Sequence, residues 1–170
     1  MNQLVLFVSL TLCAIVQAVL PHWHTMAQAK APVLLGGVMY YALTRRGGIA
    51  LEAALVAGFL QDVLDFIPLG YSVFAFALVA QGVNRYRTRV FGGSWVTHML
   101  LGAMASVLTT LILYVLLVAT GHIAISLGAA LRKAAGVAFL GLFVISLVFW
   151  AIERLDYRLG NIRHREFGDA

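Results

Sequence analysis

The segment "GFLQDVLDFIPLGYS", residues 58–72, has two acids near the end of an apolar run, followed by a proline and a glycine. In a helix, residues three or four positions apart share a face, so Gly58, Gln61, Asp62 and Asp65 form one small, polar face. Polar groups in an apolar helix turn toward protein or water. The segment therefore predicts a helical hairpin whose polar face points into a helix bundle.

The composition places this hairpin in a membrane. Hydrophobic residues make up 62% of the 170 residues and charged residues 11%, whereas a soluble domain has about 25% charged residues. Apolar runs of roughly twenty residues recur, the length that crosses a bilayer as a helix. Backbone groups in lipid need partners within their own segment, which favours helices. The expected fold is an all-α, polytopic membrane bundle.

Six spans are predicted, and their approximate bounds are 3–20, 28–44, 48–66, 69–85, 95–120 and 131–153. The second span is short and begins with Lys30 and Pro32, so a five-span arrangement remains an alternative. The first run lacks a basic leader, and we expect an uncleaved span there. The prediction is one transmembrane domain, 1–153, followed by a short basic tail, 154–170.

The basic residues indicate the orientation. Nine follow spans two, four and six: Arg45, Arg46, Arg85, Arg87, Arg89, Arg154, Arg158, Arg163 and Arg165. Lys30, Arg132 and Lys133 fall on the other side, so the positive-inside rule makes the nine-residue side cytoplasmic. The C-terminus is then cytoplasmic, as is the N-terminus with six spans. This clustering at span ends argues against nucleic-acid binding, despite the net charge of +5.

Asp62 is the main candidate for a functional residue. It lies about 21 Å along its span from the cytoplasmic end, and an acid at the bilayer centre costs on the order of 2.5–3.5 kcal/mol. The best predicted partners are backbone amides in the turn from Ile67 to Tyr71, because a helix N-terminus has free N–H groups. Asp62 then holds the hairpin together with Pro68 and Gly70. A coupling-ion or substrate site is the alternative.

Other candidate sites have simpler interpretations. Gly102 and Ser106 form a small-residue pair that either packs helices within the chain or receives a partner's span, and span five is the expected docking helix. Arg85, Arg87 and Arg89 are either a topology anchor or a contact for anionic lipids or a cytoplasmic filament protein. His22 and His24 are too few for a metal site. We expect no metal, no cofactor and no enzymatic activity, since no catalytic motif occurs.

The motif G58-x3-D62-x5-P68-L69-G70, followed by an apolar span that ends in Arg-rich sequence, resembles the MreD family of bacterial rod-shape-determining membrane proteins. Those proteins have similar length and five or six spans, and carry a Gly, an Asp and a Pro-Leu-Gly turn at matching spacing. The residues between Asp62 and Pro68, VLDFI, differ from the small, polar Ser and Gly that such proteins tend to have there.

This resemblance implies a non-enzymatic scaffold of the elongasome, the cell-wall elongation (rod) complex, in the bacterial inner membrane. It implies MreC as the direct partner, within a wider assembly for peptidoglycan synthesis that contains MreB, RodA and a class B penicillin-binding transpeptidase. The family is also similar in architecture to the membrane substrate-binding subunits of energy-coupling-factor vitamin transporters. A small-molecule-binding transporter subunit and an ion-coupled carrier therefore remain alternatives.

Overall fold

The structure is a computed structural model that describes residues 3–20, 30–45, 47–90, 95–121 and 127–158. Every regular element in these ranges is an α-helix, which confirms the all-α prediction. The helices are α1 (Gln3–Val19), α2 (Val33–Thr44), α3 (Gly47–Asp65), α4 (Tyr71–Val90), α5 (Trp95–Ala119) and α6 (Leu127–Arg158).

Four helix ends differ from the predicted spans by four or five residues, and one of them is the start of α6, at Leu127 instead of 131. α2 begins only at Val33, because the residue before Pro32 is disfavoured in helical conformation. α4 continues to Val90 and α6 to Arg158, beyond the predicted ends at 85 and 153. Arginine, leucine and glutamate are good helix formers, so the chain stays helical where the apolar run ends.

Length and apolarity vary among the helices. Within the described residues, three stretches are long and apolar enough to cross a membrane: Gly47–Asp65, Met99–Ala119 and Gly128–Leu155. α1 and α2 are apolar but shorter. α2 has 12 residues and extends about 18 Å, less than the ~30 Å of hydrocarbon. Three of the six predicted spans therefore have the length and apolarity of a membrane-crossing helix.

α2 is the central helix of the bundle. Every residue from Val33 to Leu43 is buried, against side chains of α1, α3, α4 and α6. Its glycines permit close packing, since a Cβ on Gly36 would lie 3.0 Å from the Val148 Cβ. A helix that is apolar on all sides belongs in a core, and here the other helices provide that core.

Two hydrogen bonds define the direction of the first three helices. Gln17, late in α1, donates to Gln61, late in α3, over 2.6 Å. Early residues of the same two helices, Gln3 and Glu52, line one groove, so α1 and α3 run parallel. The Gln17 side-chain oxygen also accepts from the Leu34 amide at the start of α2, over 2.9 Å. α2 therefore begins where α1 and α3 finish. We name this the hairpin end, since the α3–α4 turn lies there, and the other the far end.

α5 and α6 cross closely through small residues. A Cβ on Gly102 would lie 3.0 Å from the Ile145 Cβ, and one on Gly141 would lie 3.1 Å from the Ser106 Cβ. Ser106 is fully buried. Packing within the chain is therefore the observed role of Gly102 and Ser106. α6 covers both residues in this structure, and a role of the pair in receiving a partner's span stays a prediction.

Candidate functional site

The α3–α4 turn begins with an unusual helix C-terminus. Phe66 has a φ of 52°, and the Ile67 amide donates to the Asp62 carbonyl over 3.1 Å. This is the long-range bond of a Schellman motif, in which the residue with positive φ is usually glycine. Phe66 is 97% exposed, so its side chain adds no packing to the turn.

α4 begins at Tyr71, three residues after the proline of the motif. The first helical bond runs from the Phe74 amide to the Gly70 carbonyl, over 2.9 Å, which makes Gly70 the N-cap. Its φ of 106° lies in a region that glycine adopts readily. Glycine has no side chain to accept from the free amides of the first turn, so another residue has to satisfy them.

Asp62 supplies those acceptors. The Gly70 amide donates to its Oδ2 over 2.7 Å, and the Ser72 amide donates to its Oδ1 over 2.9 Å. The carboxylate is 1% exposed, and the positive end of the α4 dipole favours its negative charge. The predicted contact between Asp62 and the amides at the start of α4 is therefore present.

Gly58 explains how this contact is reached. It lies one turn before Asp62 on the same face of α3, and a Cβ there would meet the Val73 amide nitrogen at 2.6 Å and the Ser72 carbonyl carbon at 3.0 Å. Any larger residue would push α4 away. The spacing Gly58-x3-Asp62 thus places the point of closest backbone approach next to the carboxylate that caps α4.

A second polar group lies at the hairpin end, and we call it the polar cluster: Gln17, Lys30, Gln61 and Asp65. Lys30 forms an ion pair with Asp65, and the Gln61 side-chain nitrogen donates to Asp65 as well. Gln61 in turn accepts from Gln17. The side chains of Lys30 and Asp65 are 23% and 21% exposed. The cluster connects α1, α3 and the segment before α2.

Sequence reasoning found only part of this cluster. Gln61 and Asp65 were expected on the polar inner face, and both are there, half-buried. Lys30 was considered only as the start of span two and in the count of basic residues, and Gln17 was given no role. Gln17 ends one predicted span, Lys30 starts the next and Asp65 ends the third, so all three have the same predicted depth in the membrane. A comparison of the depths of polar residues would therefore have grouped them.

The arrangement is suited to joining helices. Both oxygens of Asp62 accept bonds from backbone amides, and those of Asp65 bond Lys30 and Gln61. Within the part of the chain that the structure describes, no group of three or more His, Cys, Asp or Glu side chains could hold a metal ion. The two acids share one helix, so they do not face each other as a catalytic pair.

Several predicted contact residues lie at or beyond the described ranges. Arg85 is exposed on α4. Arg87 and Arg89 belong to the same helix, but their side chains lie outside the described residues. His22 and His24 also lie outside them, as does the tail after Arg158. Asn84 of α4 lies at the far end, where a Cβ on Gly47 would be 2.6 Å from its Nδ2.

A family comparison places this geometry in context. The model of the family described as rod shape-determining protein MreD matches residues 1–157 of the 170-residue chain. The chain belongs to the MreD family. This confirms the resemblance drawn from the Gly58–Gly70 motif, and it assigns the chain to a family of shape-determining membrane proteins rather than to an enzyme family. No curated protein and no solved structure matches significantly.

Proposed function

We propose that this protein is a non-enzymatic scaffold of the bacterial rod complex, which binds MreC in the inner membrane and helps control cell shape and peptidoglycan synthesis. The observation that carries the proposal is the family match over residues 1–157. RodA, a class B penicillin-binding transpeptidase and MreB belong to the wider assembly under this proposal.

The contacts of the hairpin support a scaffold over a carrier. A coupling-ion site needs carboxylate oxygens that can exchange partners, whereas Asp62 is buried and bonds two backbone amides. Two surface grooves have volumes of about 240 and 220 Å³, below the ~300–1,000 Å³ typical of small-molecule sites. The motif residues Gly58, Asp62, Pro68, Leu69 and Gly70 then serve to shape the hairpin end.

All six helices cross the membrane in this proposal, with the far end cytoplasmic. The parallel course of α1 and α3, with α2 returning between them, supports two crossings before α3. The nine basic residues then face the cytoplasm. Arg85, Arg87 and Arg89 would contact anionic lipid headgroups or MreB. Cysteine labelling of intact cells tests the orientation: a cysteine at Leu69 should react with an impermeant maleimide, and one at Gly48 should not.

The function is tested by purification of the full chain from native membranes, with mass spectrometry of both proteins and small molecules. The expected result is MreC in a stoichiometric amount and no retained small molecule. A tightly held vitamin-like compound together with an ATPase subunit would instead support the transporter class and would contradict the scaffold proposal.

A further inference from the structure

α3 has an exposed stripe that begins at Glu52. Glu52, Leu55, Phe59 and Val63 are exposed and are spaced by three or four residues, so they lie on one face of the helix. The exposed Phe66 follows directly after the helix end at Asp65. From Glu52 to Phe66 the stripe extends about 21 Å. It therefore covers most of the hydrocarbon thickness of a bilayer, ~30 Å.

α1 borders this stripe at the far end and forms a groove with it. The groove has a volume of about 240 Å³ and is lined by Gln3, Leu6, Phe7, Glu52, Leu55 and Val56. Because α1 and α3 run parallel and touch, the groove follows both helix axes. The ridge of side chains on a third helix can pack into such a groove between two parallel helices.

Glu52 makes this groove different from an ordinary lipid-facing surface. It is exposed on α3, about 8 Å along the helix from Gly47, and among the described residues it has no hydrogen-bond or ion-pair partner. A carboxylate on a lipid-facing helix surface is unfavourable unless it is paired or reaches water. The exposed residues of α5 from Leu100 to Val118 are all apolar by contrast, as lipid contact requires.

Phe66 marks the opposite end of the same stripe. Its backbone is in the left-handed region, which costs an L-residue roughly 1–2 kcal/mol, and its almost fully exposed ring gains no packing within the chain in return. A large aromatic side chain in this position is useful to a partner that covers it, because buried aromatic anchors dominate interface energetics.

We propose that the α1–α3 groove and the α3 stripe receive a single transmembrane helix that has a lysine or arginine near its cytoplasmic end. That basic residue pairs with Glu52, and Phe59 and Phe66 pack along the rest of the helix. The inference rests on the proposed function, because the helix is assigned to MreC, the direct partner proposed there. The proposed docking surface is therefore on α3. It is not on α5, whose small residues are covered by α6.

The experiment uses the full chain, co-expressed with MreC and purified through a tag on the chain. Glu52→Arg should lower the MreC recovered per chain at least about tenfold, since like charges then meet at a close contact. Phe59→Ala should lower it about fivefold or more. Leu108→Ala, on the exposed face of α5, is the matched control and should leave recovery unchanged. Size-exclusion profiles establish that each variant is folded.

Charge reversal gives the sharper result. Replacing the juxtamembrane lysines and arginines of MreC with glutamate should restore recovery with the Glu52→Arg chain and lower it with the parent chain. In parallel, a photo-crosslinking residue at Leu55, which leaves all charges in place, should join the two proteins, whereas one at Leu108 should not.

Each other outcome contradicts a specific claim. If the parent chain retains MreC and the Glu52 and Phe59 variants retain it equally, or if Leu108 crosslinks in preference to Leu55, the groove is a lipid surface and the inference is wrong while the scaffold proposal stands. If the parent chain itself retains no MreC, the proposed function fails, and the assigned occupant of the groove fails with it.

Discussion

Asp62 and Asp65 are three residues apart on one helix, and they illustrate two ways to satisfy an acid in a membrane protein. Asp62 is 1% exposed and accepts bonds from Gly70 and Ser72 of its own hairpin. Asp65 is half-buried and depends on Lys30, from a segment before α2, and on Gln61. Asp62 has backbone partners in the turn that follows its helix, whereas Asp65 has one side-chain partner on its own helix, Gln61, and one brought by the fold, Lys30.

The difference predicts different energetic roles. Backbone amides at a helix N-terminus cannot rotate away, and each one left buried without a partner costs about 1–3 kcal/mol. Side chains such as lysine reach solvent when a partner is lost, so a partly exposed ion pair contributes less. The Asp62 contact should therefore determine whether the hairpin forms. The polar cluster should make a smaller contribution to stability, through the packing of α1 and α2 against α3.

The largest expected effect on stability is at Gly58, where the close approach of α3 and α4 allows the Asp62 contact to form. Gly58→Ala places a methyl group against the backbone of Val73, and we expect it to lower the free energy of unfolding by about 3 kcal/mol. SDS titration of the purified protein in mixed micelles measures this. Gly48→Ala, in the same helix with nothing within 4 Å, is the control. Equal stability of the two variants would show that close approach of α4 is not needed.

Substitution of Asp62 comes next. Asp62→Ala leaves the amides of Gly70 and Ser72 without an acceptor, and the expected loss is about 2–3 kcal/mol by the same titration. Asp62→Asn keeps one carbonyl acceptor and should lose about half as much. Asp65→Ala should be milder than Asp62→Ala. If Asp62→Ala folds as stably as the parent, the capping role of Asp62 is wrong.

The ion pair of the polar cluster should have a smaller effect. Lys30→Met and Asp65→Asn should each cost about 1 kcal/mol, and the double variant should cost less than the sum because each change removes the same contact. A double-mutant cycle from the unfolding titrations measures the coupling. Leu108→Met, an exposed site on α5, serves as the neutral comparison. Strict additivity would mean that the contact between Lys30 and Asp65 contributes nothing to stability.

The smallest effect is expected to be favourable. Phe66→Gly removes the cost of holding a residue with a side chain in the left-handed region. Glycine also raises the conformational entropy of the unfolded chain, which offsets part of that gain. We therefore expect the free energy of unfolding to rise by about 0.5–1 kcal/mol. Phe66→Ala is the control, because it removes the same aromatic ring but keeps a Cβ at positive φ. A gain for alanine equal to that for glycine would trace the effect to the ring rather than to the backbone.

The sequence predicted contacts between residues close in the chain more accurately than contacts between distant residues. The helical fold, the hairpin and the partners of Asp62 were predicted because they depend on apolar run length and on residues eight and ten positions apart. The helix ends at Val33, Val90, Leu127 and Arg158 were placed less well. Hydropathy locates the edge of the apolar run, whereas proline and helix propensity locate the end of the helix.

By itself, the sequence determined an all-α membrane protein of the MreD family whose hairpin is closed by Gly58, Asp62 and Gly70. Only the tertiary structure decided the pairing of Asp65 with Lys30, the burial of α2 and the packing of Gly102 against α6. Lipid is as apolar as a helix core, so hydrophobicity does not separate lipid-facing from buried surfaces. Partners thirty-five and forty-four positions apart, such as Lys30 with Asp65 and Gln17 with Gln61, meet only through the fold.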